Sequence, residues 1–271
     1  MIRIGTINLN GEMWNLNRKL PRVSRKIIDQ QKIKEQMTEV TKTQLGKILK
    51  SKKYDILAIQ ELVYFNPYFS EIKSKIESEQ YELMFPENLG SHTHFTTAFI
   101  VKNELKMCLK KIDNFSENNR LIAKKIVTET GEITLCNVHM NTCGKDDGAV
   151  REDDVYKLLK ESKLSKFIIL GDFNAYTERQ DTSKKSVISE DNIIYKLCRE
   201  YKLVECGKDR DYTYKTSTFE RKLDHIFISN DIKEAKEYEK INNDVNFMIN
   251  EDEGFTDHSM LNIEIEYDIQ K

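Results

Sequence analysis

Proline and glycine are scarce in this chain, with three prolines and ten glycines among 271 residues. So few of them leave little room for a flexible linker, and the length suits one large core, so we expect a single domain over residues 1–271. No apolar run approaches the roughly 20 residues of a membrane helix, which predicts no membrane span. Residues 1–8 lack the apolar stretch of a signal peptide and have the pattern of a strand. Five cysteines without a CxxC pair favour a reduced, cytoplasmic protein. We further expect a monomer.

Charge is abundant and unevenly distributed. Charged residues make up 32% of the chain and apolar residues 39%, which is typical of a globular protein with a highly charged surface. The net charge is −2, yet residues 11–53 contain twelve Lys or Arg against four Asp or Glu, a local charge of +8. This stretch is basic enough to face a polyanion. It is equally consistent with a solvated helix face.

The apolar pattern alternates predicted strands with predicted helices. Strands are predicted at 2–8, 55–60, 97–102, 121–128, 133–138, 167–171, 223–228 and 260–266. Helices are predicted within 22–51, 67–79, 150–161 and 188–201. Residues 121–136 have the pattern of a hairpin that turns near Thr130 and Gly131, and 242–254 is predicted to be a loop. Neighbouring hairpins mixed with helices favour mixed sheets covered by helices over a purely parallel sheet.

The segment from Phe167 to Asn174 carries the strongest local signal. Four apolar residues predict a strand buried on both faces, and the strand ends at a Gly followed by Asp172 and Asn174. A carboxylate there can handle a proton or a metal, and an amide can donate to a developing oxyanion. An ordinary turn is the alternative, because Gly, Asp and Asn are common turn residues.

Five other predicted strands also begin or end in polar residues that do not suit a core. These are Asn8 with Asn10 and Gly11, Gln60 with Glu61, Asn137 with His139, Asp224 with His225, and Asp257 with His258. Each has a plain explanation as a turn, a cap or a surface charge. Six such positions drawn from Asn, Glu, His and Asp are much less easily explained by chance, so they predict one shared site.

In their order along the chain, these motifs resemble the endonuclease/exonuclease/phosphatase superfamily, which includes deoxyribonucleases, abasic-site endonucleases, sphingomyelinases and inositol polyphosphate phosphatases. The resemblance extends from Asn8 to His258, and the Gly-Asp-Phe-Asn and Thr-Asp-His blocks are its most specific parts. It implies a four-layer α/β sandwich, with two mixed β-sheets packed face to face and helices outside. It also implies hydrolysis of a phosphoester that depends on Mg²⁺ or Mn²⁺, at one end of the sandwich.

The resemblance and the side-chain chemistry together suggest the metal ligands and an acid–imidazole pair. Glu61 is the best candidate ligand, because Mg²⁺ prefers hard oxygen donors and takes few carboxylates. Asn8 and Asp257 would complete or support its coordination. His258 would pair with Asp224, because a carboxylate on one ring nitrogen fixes the tautomer and favours the protonated ring.

The remaining roles concern water and phosphate. Asp172 would orient or deprotonate the attacking water, and Asn174 would donate to a phosphate oxygen. Arg120 matches a phosphate-clamping arginine of the family, although an ordinary surface role stays open. His139 matches the histidine of deoxyribonucleases, sphingomyelinases and inositol phosphatases, where abasic-site endonucleases have tyrosine, so abasic-site repair is disfavoured. The acid that supports this histidine in deoxyribonuclease is replaced by Thr96 or Thr97.

The long segment between the first two motifs bears on the substrate. It implies a basic helical insertion at about 12–50, whose Arg18 and Arg22, together with Asn10, would contact substrate phosphates. We therefore expect a DNase-like nuclease that cleaves nucleic acid, DNA rather than RNA. The alternative is a phosphatase or phospholipase C-type phosphodiesterase acting on an inositol phosphate or a sphingomyelin-like headgroup.

Overall fold

Two β-sheets form the centre of the protein. The computed structural model describes residues 1–9, 30–51, 53–87, 89, 94–129, 131–140, 148–161, 166–182, 192–215, 218–233, 256 and 258–266. The strands are β1 (Ile2–Asn8), β2 (Ile56–Val63), β3 (Tyr81–Met84), β4 (Phe95–Lys102), β5 (Leu109–Lys111), β6 (Leu121–Thr128), β7 (Gly131–His139), β8 (Lys166–Asp172), β9 (Val204–Glu205), β10 (Tyr214–Lys215), β11 (Glu220–Arg221), β12 (Asp224–Ile228) and β13 (Leu261–Ile265). The helices are α1 (Gln30–Lys50), α2 (Tyr68–Ser78), α3 (Gly148–Glu161), α4 (Ile193–Arg199) and α5 (Asn230–Lys233), with 3₁₀ turns at Asn103–Cys108 and Glu178–Gln180.

The first sheet has five strands in the order β13-β1-β2-β4-β3. Strands β1 and β2 run parallel, and the other pairs are antiparallel. The second sheet has six strands in the order β5-β6-β7-β8-β12-β9, in which only β7 and β8 run parallel. Both sheets are therefore mixed, as the pattern of hairpins and helices predicts.

Three apolar clusters separate four layers. The central cluster lies between the two sheets and includes Ile4, Phe99 and Ile168, all fully buried. A second cluster packs α1 and α2 against the outer face of the first sheet. A third packs α3 and α4 against the second sheet. The fold is the four-layer α/β sandwich expected from the resemblance.

The eight predicted strands and the four predicted helices are present with small changes at their ends. The hairpin turn lies where predicted, with Gly131 at a φ of 129°. Strands β3, β5, β9, β10 and β11 are not predicted, since each has only two to four residues. The predicted loop at 242–254 lies outside the described residues. None of the described helices has both the length and the apolar character needed to cross a bilayer.

Candidate active site

One end of the sandwich collects the polar ends of strands from both sheets. In the first sheet, Asn8 at the end of β1 is in register with Gln60 on β2. In the second sheet, Asp172 at the end of β8 is in register with His139 on β7 and with Asp224 at the start of β12. Because the sheets pack face to face, these strand ends meet at one end of the sandwich.

Gly171 allows β7 and β8 to approach closely beside Asp172. Its φ is 136°, and a Cβ atom there would lie 2.0 Å from the carbonyl oxygen of Val138. Any other residue at this position would force β7 and β8 apart or strain the backbone. The glycine of the Gly-Asp-Phe-Asn motif is thus required by packing next to the site.

A β-bulge in β2 directs Glu61 towards this end of the sandwich. The pairing of β2 with β4 shifts between Ile59 and Leu62, so Gln60 and Glu61 together oppose one residue, Thr97. Glu61 has a φ of 54°, in the left-handed region that glutamate rarely adopts. Bulges commonly redirect a side chain at a functional site. Here Gln60 points between the sheets, and Glu61 reaches the side chains of Asn8 and His139.

Asn8 connects the two sheets at the site. Its side-chain nitrogen lies 3.2 Å from Glu61 Oε1 and donates to Asp172 Oδ2 at 2.9 Å. The Asn8 carbonyl accepts a 2.6 Å hydrogen bond from the Thr256 hydroxyl, which also accepts from the backbone N–H of His258. The first strand is therefore tied to both acids and to the segment that carries His258.

The pKa of the Asp172 carboxyl group is strongly shifted. Its side chain is buried, and this burial raises its pKa to about 7. The neighbouring Asp224 carboxylate also raises it, whereas His258 and hydrogen bonds from Asn174 and Asn8 lower it. A carboxyl group with a pKa near neutrality is suited to exchange a proton with water.

His258 and Asp224 form a hydrogen-bonded pair next to Asp172. The ring Nδ1 lies 2.7 Å from Asp224 Oδ2, and Nε2 lies 4.0 Å from Asp172 Oδ2. Asp224 is fully buried, and its backbone N–H donates to the hydroxyl of Thr213. The pairing predicted from the sequence is present, and it directs Nε2 of His258 towards the site.

Asn174, two residues after Asp172, has a left-handed backbone conformation. Its φ is 47°, and its backbone N–H donates to Asp172 Oδ1 at 2.8 Å. Its side-chain nitrogen donates to the carbonyl of Met140 at 2.8 Å and lies 3.3 Å from Asp172 Oδ2. The longer of these contacts is the weaker, so a substrate oxygen can replace it at small cost.

Arg120 and His139 lie together at the side of the site. An Arg120 nitrogen lies 3.4 Å from His139 Nδ1, and His139 Nε2 lies 3.4 Å from Glu61 and 3.8 Å from Asp172. Thr96 and Thr97 do not supply a substitute acid. The Thr96 hydroxyl donates to a backbone carbonyl, and the Thr97 hydroxyl is buried without a partner among the described residues. The described groups next to His139 include Arg120, Glu61 and Asp172.

Four predicted site residues, Asn10, Arg18, Arg22 and Asp257, lie outside the described residues. One unpredicted neighbour is Tyr214, whose ring centroid lies 5.3 Å from that of His258. It belongs to the two-residue strand β10. Two residues are too few to show strand periodicity, so the sequence carries no signal for this contact.

The donor set fits a hard divalent cation. Glu61 and Asp172 offer carboxylate oxygens, whereas the Asn8 side-chain nitrogen, which contacts both, is a hydrogen-bond donor and does not bind a cation in this orientation. Carboxylate and amide oxygens are the ligands preferred by Mg²⁺ and Mn²⁺. Asp172, Asp224 and His258 also place three ligand atoms within 4.8 Å of one another. Because Asp224 and His258 are hydrogen-bonded to each other, Glu61 and Asp172 are the carboxylates left to bind such an ion.

Solved structures with the same fold include several that act on nucleic acids. One is the endonuclease domain of TRAS1, a telomere-specific non-LTR retrotransposon, with 15% identity and a TM-score of 0.65 over 100% of this chain and 99% of that one. An AP endonuclease from Archaeoglobus fulgidus has 18% identity and a TM-score of 0.66 over 98% of this chain and 100% of that one. A Neisseria 3′ phosphatase bound to a product DNA hairpin has 14% identity and a TM-score of 0.63, again over 98% and 100%.

No curated protein sequence matches the chain. A sequence profile of the Endonuclease/Exonuclease/phosphatase family matches residues 5–258, which include the polar ends of both sheets. Family members are divalent-metal-dependent hydrolases that act on phosphoester bonds. The chain belongs to the Endonuclease/Exonuclease/phosphatase family.

Proposed function

We propose that this protein is a metal-dependent nuclease that hydrolyses phosphodiester bonds of nucleic acid, DNA in preference to RNA. The observation that carries the proposal is the position of Asp172. Its Oδ2 accepts a hydrogen bond from Asn8, which also contacts Glu61, and lies 4.0 Å from Nε2 of His258, which is paired with Asp224. Such an arrangement suits the activation of water for attack on phosphorus.

In the proposed reaction, Asp172 accepts a proton from the attacking water. His258, oriented by Asp224, donates from Nε2 to a non-bridging phosphate oxygen as negative charge develops. Arg120 binds another phosphate oxygen, and Asn174 donates to it in place of its contact with Asp172. His139 protonates the leaving oxygen, so the water proton remains on Asp172 when the P–O bond breaks.

Glu61 and Asn8, with Asp257, are the proposed holders of Mg²⁺ or Mn²⁺. When bound, such an ion stabilises charge on the phosphoryl oxygens as a Lewis acid. The remaining steps depend on groups of the chain itself.

The substrate assignment has two supports. Residues 11–53 carry a local charge of +8, so a basic insertion at about 12–50, including Arg18 and Arg22, would contact a polyanion together with Asn10. Similar structures include a telomere-specific retrotransposon endonuclease domain, an AP endonuclease and a phosphatase bound to a DNA hairpin. The same proposal has the protein acting as a single-domain cytoplasmic monomer.

A substrate panel tests the nuclease proposal. Purified protein is incubated with supercoiled plasmid, single-stranded DNA and RNA, with Mg²⁺, with Mn²⁺ and with EDTA. We expect DNA cleavage that requires metal, and a loss of kcat of at least about 10²-fold in His258→Ala, the usual effect of removing a positioned acid or base. Failure to cleave any of the three polymers would refute the proposal.

A charge variant tests the basic insertion separately. Neutralising Arg18, Lys19, Arg22 and Arg25 should raise KM for DNA and spare a small phosphodiester such as bis(p-nitrophenyl) phosphate. The salt dependence of DNA binding should also weaken, because fewer phosphates are neutralised. Equal losses on both substrates would count against polymer binding by this segment.

The alternative function keeps the chemistry and changes the substrate to an inositol phosphate or a sphingomyelin-like headgroup. It is compatible with His139, which occupies a position that sphingomyelinases and inositol phosphatases share with deoxyribonucleases in the resemblance. Release of inorganic phosphate or phosphocholine, with plasmid and RNA intact, would replace the nuclease proposal with this one.

A further inference from the structure

Two amide side chains lie fully buried between the sheets, next to the site residues. Gln60 precedes Glu61 on β2, and Asn137 lies two residues before His139 on β7. The Gln60 side-chain nitrogen donates to Asn137 Oδ1 at 2.7 Å and to the Thr6 hydroxyl at 2.9 Å. This contact joins the two sheets through side chains in the middle of an apolar core.

Asn137 also holds the bulge from the opposite sheet. Its side-chain nitrogen donates to the carbonyls of Ile59 at 3.0 Å and Ala98 at 2.9 Å. Ile59 and Ala98 are the last paired residues of β2 and β4 before the register shifts. One side chain of the second sheet therefore fixes both strands at the point where Glu61 turns towards the site.

Stability alone does not account for this pair. Burial of an amide pair brings little net stability over an apolar pair of the same shape. The oxygen Oε1 of Gln60 is buried without a hydrogen-bond partner among the described residues, which adds a cost. Directional bonds differ from apolar packing in one respect, because they fix the relative position of two surfaces that could otherwise slide.

We propose that Gln60 and Asn137 are positioning residues that set the distance of Glu61 from His139 and Asp172. The site requires such a device because its groups are divided between the sheets. Glu61 of the first sheet lies 3.4 Å from His139 of the second, and Asn8 of the first sheet lies 2.9 Å from Asp172 of the second. A shift of one sheet by a fraction of these distances would disrupt the set.

The test uses near-isosteric apolar variants, Gln60→Met and Asn137→Leu, singly and together. Each single variant leaves buried partners unsatisfied, so each should lower the melting temperature. In the double variant part of that loss should be recovered, because the Gln60–Asn137 pair is replaced as a unit. The positioning function is not recovered, so Mn²⁺ affinity and kcat should both stay about 10- to 100-fold below wild type.

Mn²⁺ binding is measured by electron paramagnetic resonance, and kcat with bis(p-nitrophenyl) phosphate. Thr134→Val is the matched control, since it removes a buried hydroxyl from the same strand, at a distance from the site. It should change neither quantity. A double variant that binds Mn²⁺ and turns over like wild type would overturn the proposal.

The activity arm rests on the proposed function, and the binding arm does not depend on nuclease activity. If wild-type protein cleaves no nucleic acid, the proposed function fails while the Mn²⁺ affinities still decide the positioning role. If the double variant does not fold, the two single variants decide, because Gln60→Met keeps the bonds from Asn137 to Ile59 and Ala98 and Asn137→Leu removes them. Wild-type Mn²⁺ affinity in both single variants would equally overturn the proposal.

Discussion

Replacing Asp172 with Asn should lower kcat by at least about 10²-fold and should stabilise the metal-free fold relative to wild type increasingly as the pH rises. The native carboxyl group is buried, and its pKa is raised from the ordinary 3.8 to about 7. At about 1.4 kcal/mol per pKa unit, keeping it ionised in the native state costs the wild type about 4 kcal/mol. The amide of Asp172→Asn carries no such cost.

The sign of the effect follows from proton binding. Since the native carboxyl group holds its proton more tightly than the unfolded one, wild-type stability falls as the pH rises from about 4 to about 7. Between pH 5 and pH 8, the free energy of unfolding of Asp172→Asn should therefore gain about 2 to 3 kcal/mol relative to wild type. A constant penalty is also expected, because the new side-chain NH₂ group faces the donor of Asn8.

The assay is urea unfolding, followed by circular dichroism in EDTA at pH 5 and pH 8. Asp153→Asn, at an exposed position of α3, is the control and should show the same pH dependence as wild type. With metal and bis(p-nitrophenyl) phosphate, Asp172→Asn should lose at least about 10²-fold in kcat. A stability difference that does not move with pH, or that moves the other way, would refute the account of Asp172 as a buried, proton-exchanging carboxyl group.

Other predictions concern residues around the site. Arg120→Lys keeps the charge and loses the forked donor, so kcat/KM for bis(p-nitrophenyl) phosphate should fall by about tenfold, and an unchanged value would remove Arg120 from the phosphate contacts. Lys222→Met removes a buried partner that lies 2.6 Å from Glu205, so urea unfolding should show a loss of about 3 kcal/mol. Gly171→Ala should cost at least about 2 kcal/mol by the same measurement, and a neutral result would contradict the close approach of β7 and β8.

The buried partner set of Glu205 explains the Lys222 prediction. Burial alone would raise the pKa of Glu205, but His225 and Lys222 lower it to about 2, so the carboxylate stays ionised in the core. The Lys222 side chain is almost fully buried beside it. Removing this cation leaves the carboxylate with only hydrogen bonds from neighbours such as His225 and Gln180, which accounts for the expected size of the loss.

The sequence predicts the main strands because each is a run of apolar residues long enough to show its pattern. Strand β8 is an example, since Phe167 to Leu170 are all buried between layers. The short strand β10 carries Tyr214 to the site, and two residues show no pattern. The hairpin of β6 and β7 is predictable because Gly131 marks its turn.

Local geometry at the site is harder to predict than the identity of its residues. The order of motifs predicts that Asp224 pairs with His258. The pair forms because a carboxylate oxygen accepts a hydrogen bond from an imidazole nitrogen placed beside it. By contrast, the bulge at Glu61 has no signal, because a φ of 54° is normally marked by glycine or asparagine. The neighbours of His139 are likewise set by packing of two sheets, which a linear pattern does not contain.

Two residues of the site, Glu61 and Asn174, have left-handed backbone conformations. Their φ values are 54° and 47°. The Asn174 side chain contacts Asp172, and the Glu61 side chain contacts Asn8, which donates a hydrogen bond to Asp172. Asparagine tolerates this region, whereas glutamate is held there at a cost of about 1 kcal/mol or more. Neighbouring hydrogen bonds offset this cost. Among them are the bonds from Asn137 to the carbonyls of Ile59 and Ala98, which lie next to the bulge. The bulge therefore directs the Glu61 carboxylate towards the site, and the hydrogen bonds from Asn137 of the second sheet stabilise the bulge.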